Sequence, residues 1–204
     1  MLNRLLKKSF PAFSIIEMLV SIAIITLIST MFVANYQGNV RRSDLVMSAN
    51  ILAADTRLAQ SFSLGLMKYD NVFPDGGWGM DFSIDDTDVS KNDRYYLYAD
   101  GYDQASNQVR EDNESLPEYK GKTVIFPSDI KIKSMNVHRN GVWQTTNHVS
   151  ITFVPPKPQT IINDVMHGAN CDIAIITLVN TRDDSTTQVM INFVGLIDVL
   201  EKGL

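Results

Sequence analysis

From Met18 to Ala34 the chain runs 17 residues without a charge, and the residue just before that run is Glu17. So apolar a stretch belongs in a bilayer or in an export signal that is cut away. As a helix it spans roughly 25 Å, near the lower limit for crossing a hydrocarbon core. The uncharged run continues through more polar residues to Val40, which leaves room for tilt and places Tyr36 at an interface. Arg4, Lys7 and Lys8 precede it, with no acid among the first twelve residues. With the free amine they favour a cytoplasmic N-terminus; Arg41 and Arg42 on the far side oppose this only in part. The expected topology is a single pass through a membrane, with the bulk of the chain exported.

A cleaved secretory signal fits poorly, because a cut after Ala34 would leave bulky Phe32 two positions upstream of it. A plain signal anchor accounts for everything except Glu17. An acid at the centre of a membrane helix costs on the order of 2.5–3.5 kcal/mol.

The stretch Ala12-Phe13-Ser14-Ile15-Ile16-Glu17-Met18-Leu19-Val20 resembles the processing site of type IV prepilins and type II secretion pseudopilins. The resemblance implies that residues 1–12 are a leader removed by a prepilin peptidase between Ala12 and Phe13. Phe13 would then be N-methylated, and Glu17 would be the fifth residue of the mature chain. It further implies assembly into a filament, in which Glu17 meets the amino terminus of a neighbouring pilin or pseudopilin subunit. The inner-membrane assembly platform would be another partner. Ala12 stands where the family usually has glycine, and no proline interrupts the helix near Val33 and Ala34, where many pilins carry one.

Past Val40 the sequence stays helical but turns amphipathic. Leu45, Ala49, Leu52, Thr56, Ala59, Ser63 and Leu66 recur at alternating spacings of four and three, with Asp44, Arg57 and Ser61 off that face. The reading is one long helix from about Ser14 to about Leu66, with Gly38 its softest point. Its parts are a filament-core segment over 13–40 and an amphipathic half over 41–67. Residues 68–204 form a β-rich head. About seven strands are expected there: Trp78–Ile84, Tyr95–Ala99, Thr123–Phe126, Ile130–Val137, Val149–Phe153, Ile173–Val179 and Thr187–Val194, with Leu196–Leu200 as a possible last one. No helix intervenes in this reading, which favours an antiparallel sheet and an α+β, pilin-like class, the long helix packed on the head. Within the head, Gly76-Gly77-Trp78-Gly79-Met80-Asp81-Phe82, Tyr95-Tyr96-Leu97-Tyr98-Ala99-Asp100 and Ile191-Asn192-Phe193-Val194-Gly195-Leu196-Ile197 resemble the H-type minor pseudopilins.

Residues 13–204 carry 15 basic and 23 acidic side chains, a net charge of −8, which disfavours nucleic acid as a general partner. Cys171 is the only cysteine, so no intrachain disulfide forms. His167 and Cys171, flanked by Asp164 and Asp172, read as a loop rather than zinc ligands, and His138 and His148 have no motif context. The sets Asp85, Asp86, Asp88, Asp93 and Asp100, Asp103, Asn107 miss the EF-hand pattern and read as solvated loops. Lys131, Lys133, His138, Arg139 and Trp143 could meet a nucleic acid, but Ile130 and Ile132 between the lysines mark an ordinary strand. No nucleophile or metalloprotease motif occurs, so neither an enzyme nor a cofactor is expected. The alternative to a purely structural subunit is a minor pilin whose head binds DNA or an exported protein.

Overall fold

The computed structural model of the chain describes residues 13–69, 71, 73–74, 76–85, 88–100, 119–155, 159–164 and 170–200. It is an α+β protein that divides into two units, one ending at Val40 and the other running from Arg41 to Leu204. The long helix α1, Ile15–Leu64, contributes residues to both. It begins and ends within two residues of the expected bounds and continues through Gly38.

The end of α1 is built by the backbone. Leu66 sits at φ 48°, its amide donates to the Ser63 carbonyl, and the Met67 amide donates to the Phe62 carbonyl. These two bonds make a Schellman cap, which usually has glycine in the left-handed position. Here Gly65 comes one residue too early and Leu66 takes the strained site.

In the second unit, Leu45, Ala49, Leu52, Thr56, Ala59 and Ser63 are all buried, as their spacing predicts, whereas Leu66 lies beyond the helix end and is exposed. Among the described residues ten strands accompany this half of α1: β1 Gly77–Ser83, β2 Arg94–Asp100, β3 Tyr119–Ile125, β4 Ile130–Arg139 and β5 Val142–Thr146, then β6 His148–Val154, β7 Gln159–Asp164, β8 Ile173–Asn180, β9 Thr186–Asn192 and β10 Ile197–Leu200. They form two antiparallel five-stranded sheets, in the orders β3-β2-β1-β6-β7 and β10-β9-β8-β4-β5. Among the described residues the head therefore holds ten strands in two sheets rather than the seven or so expected.

The two unexpected strands have physical origins. β4 and β5 join through Asn140-Gly141, both at positive φ (50° and 81°), the two-residue turn that matches the twist of paired strands. β7 follows a proline-rich stretch that masked its short apolar core, Ile161 and Ile162. The acidic segment expected as a loop contains a 3-10 helix, Val89–Asp93.

One apolar core joins the helix to both sheets. Leu45, Leu52 and Ala53 of α1 share it with Met80, Phe82 and Ile151 of the first sheet and Ile132, Ile176 and Val189 of the second. Polar bonds clamp the helix on either flank. The Tyr95 hydroxyl donates to Asp55 (2.7 Å), and the Ser63 hydroxyl donates to the Phe153 carbonyl, both toward the first sheet. Arg57 donates to the Ile197 carbonyl (2.8 Å) and Gln60 to the Gly195 carbonyl (3.4 Å), toward the second.

Candidate functional site

The candidate site is the start of α1, in the unit that ends at Val40. Ser14 caps the helix: its hydroxyl accepts from the Ile16 amide (3.2 Å), and its carbonyl accepts from the amides of Glu17 (3.0 Å) and Met18 (3.2 Å). A Ser followed three residues later by Glu is a helix-start signature, and a carboxylate in the first turn also suits the positive end of the helix dipole. Local structure therefore gives Glu17 one reason to be there. It does not supply a partner: among the described residues the Glu17 carboxylate has no ion pair or side-chain hydrogen bond. Phe13 precedes the helix and is 76% exposed. Ala12 lies outside the described residues, so the structure does not speak to the expected cleavage position.

From Ile15 to Val33 the helix has a mean hydropathy of 2.3, and none of the segment is buried. Its 19 residues span about 28 Å, enough to cross a hydrocarbon core. A core helix of a soluble protein would have this composition but would be covered. Three of the four hydroxyls in the segment bond its own backbone: Ser21 to the Glu17 carbonyl (2.7 Å), Thr26 to Ile22 (2.8 Å) and Thr30 to Leu27 (2.8 Å). With these three donors satisfied internally, entry into lipid strips water from few hydroxyls. Glu17 is then the one strongly polar group left bare.

The other candidate residues resolve individually. Cys171 is buried, and burial, then the nearby Asp164, pushes its thiol up from the ordinary range. Asp164 is buried and accepts from the Thr146 hydroxyl (2.7 Å); Asp172 lies 3.3 Å from His138 Nδ1. His167, Asp86, Asp103 and Asn107 lie outside the described residues. Among the described residues no three His, Cys, Asp or Glu side chains converge as metal ligands would. The acids around the 3-10 helix have cationic company instead: Lys91 reaches Asp85 (3.4 Å) and Asp88 (3.7 Å), and Arg94 pairs with Asp93 (2.8 Å). On β4, Ile130 and Ile132 are buried and Lys133 is exposed, at an irregularity in the β4–β8 pairing. Trp143 is exposed, with its ring 5.1 Å from that of His138 across the β4–β5 pair.

The sequence reading missed a buried polar layer on the second face of the first sheet. Tyr98 presents its hydroxyl to Ser150 (2.6 Å) and Thr152 (2.7 Å), and His148 Nε2 lies 2.7 Å from Asp81. Asp81, Tyr98, Ser150 and Thr152 are all nearly inaccessible, so β6 is buried on both faces and not half-buried as its alternation predicts. Gly79 makes room for the layer: a Cβ there would lie 2.7 Å from the Tyr98 ring.

Comparison with protein-family models, curated proteins and solved structures finds no match to this chain. What can be said of function therefore rests on its own residues.

Proposed function

We propose that the chain is a structural subunit of a filament of the type IV pilus or type II secretion pseudopilus class, held in the inner membrane by Ile15–Val33 before assembly. The observation that carries this reading is the uncovered apolar helix opening on Phe13-Ser14-Ile15-Ile16-Glu17, with its single carboxylate unpartnered among the described residues. An α+β chain with a long N-terminal helix and antiparallel sheets suits a pilin-like subunit.

In this reading the peptidase removes residues 1–12, and Phe13 becomes the N-methylated first residue. The Glu17 carboxylate then attracts the amine of an adjacent copy. Where two such helices leave lipid together, each apolar surface is covered by the other, and the charge pair fixes their axial offset. A carboxylate with no cation nearby is tolerated at the membrane surface but penalised deeper in.

Glu17→Leu tests this directly. The variant should insert into the membrane in normal amount and be absent from sheared or sedimented filaments, whereas Glu17→Asp should retain part of the wild-type incorporation. Normal incorporation of Glu17→Leu would overturn the assembly role.

A further inference from the structure

The second unit carries an apolar socket and a separate apolar knob, both bordering the last turns of α1. The socket is a cavity of about 220 Å³ lined by Phe62, Leu66, Met67, Phe73, Trp78 and Pro155. It is rigid on one side, where Phe62 and Trp78 meet edge to face at 5.0 Å and the Trp78 indole N–H donates to the Met67 carbonyl (3.1 Å). Leu66, Met67 and Phe73 on its lip are about half exposed. The volume is below that of ordinary small-molecule sites and suits one or two side chains.

The knob is the β9–β10 turn, Phe193-Val194-Gly195-Leu196, whose three large side chains are 58%, 64% and 56% exposed. It too is rigid: the Asn192 side-chain oxygen accepts from the amides of both Val194 (3.1 Å) and Leu196 (2.9 Å), and the Phe193 amide donates to the Asp172 carbonyl (2.9 Å). A polar or flexible turn would serve a solvent-facing hairpin equally well. A braced, greasy one needs cover.

Placement relates the two. Gln60 touches the knob through the Gly195 carbonyl, while Phe62 lines the socket. Phe62 lies about 200° round the helix from Gln60, and Ser63, which also lines the socket, about 60° from it, so the socket extends round α1 away from the knob. No residue of the turn lines its own chain's socket, and a knob entering the next copy's socket leaves a fresh knob and socket at the ends of the pair. Such head-to-tail contacts propagate instead of closing. Charge agrees with the pairing. Exposed Lys68 lies on the socket lip, its ammonium 4.5 Å from the centre of the Phe73 ring, and the exposed carboxylates of Asp172 and Asp198 flank the knob.

We propose that the Phe193–Leu196 turn of one copy seats in the Phe62–Trp78 socket of the next, as the lateral contact between heads in the filament. The proposal rests on the filament reading above and adds its head-to-head interface.

The test uses the full-length chain carrying Leu66→Cys and Val194→Cys, made in the cells that assemble it and oxidised mildly before non-reducing electrophoresis. The expected result is a ladder of dimers, trimers and larger species, absent from either single variant and from a Leu66→Cys, Val142→Cys control. Phe193→Ala should lower incorporation into sedimented filaments roughly 10- to 100-fold, the range for re-exposing one aromatic side chain. Sedimentation and cross-linking fail separately. A wild-type chain that never reaches the high-mass fraction overturns the filament reading and this contact with it. Filaments that form without the ladder, a ladder that stops at dimers, or an equal ladder from the control overturns the contact alone.

Discussion

Ile51 and Leu52 are neighbours on α1 with opposite surroundings: Leu52 is fully buried between the two sheets, and Ile51 is 42% exposed. If the second half of α1 is part of the head's core, replacing each with alanine should give very different losses. Removing a fully buried leucine side chain forfeits its transfer energy and leaves a cavity, together about 2–5 kcal/mol. The polar clamps from Asp55, Arg57, Gln60 and Ser63 hold the helix in place, so little collapse into the cavity is expected, which argues for the upper half of that range. The unit from Arg41 to Leu204 is of a size where 1 kcal/mol moves the melting temperature by about 2–4 °C. Leu52→Ala should therefore melt roughly 4–20 °C below the wild type, and Ile51→Ala within about 3 °C of it. Circular dichroism melts of the full chain in detergent micelles measure both. Equal losses at the two positions, or no loss at Leu52, would refute the claim that this half of the helix is a structural strut of the head.

Gly79→Ala should destabilise the head by about 1–3 kcal/mol, because the added methyl meets both the Tyr98 ring and the Ile151 carbonyl, at 2.7 and 2.8 Å; chemical denaturation against wild type checks it. The phenols of Tyr95 and Tyr98 are both held up above their ordinary value, by burial first and, for Tyr95, by the hydrogen bond to Asp55. A raised folded-state pKa leaves their contribution intact below about pH 10 and erodes it as pH rises further, because the unfolded chain then sheds protons that the folded chain keeps. Absorbance at 295 nm followed alongside circular dichroism should show these two tyrosines ionising only as the fold is lost; ionisation of every tyrosine with the fold intact would contradict their burial.

Much of this architecture can be read from residue order, and the parts that cannot share a cause. The helix was legible because its two halves announce themselves differently, one by an unbroken apolar run and the other by the four-three spacing from Leu45 to Ser63. Strand positions were largely legible too, since Val149, Ile151 and Phe153 alternate as a strand face should. Alternation, though, says only which residues share a face and nothing about what lies over it. Ser150 and Thr152 look like solvent positions by pattern, yet they are buried and bonded to Tyr98. Sheet number was hidden for a similar reason: pairing partners such as β4 with β8 are more than thirty residues apart, and no local signal encodes them. The socket likewise gathers residues from the end of α1, the segment before β1 and the end of β6, so only the folded chain brings them together.

The central claim concerns how the chain begins in its working form, and the intact mass of the native protein extracted from membranes or filaments tests it most directly. A polypeptide that starts at Phe13 with one methyl group on its amine, and that retains the apolar helix behind it, is the expected result. A mass corresponding to a start at Met1, or at Asn35 with the apolar segment gone, would contradict it.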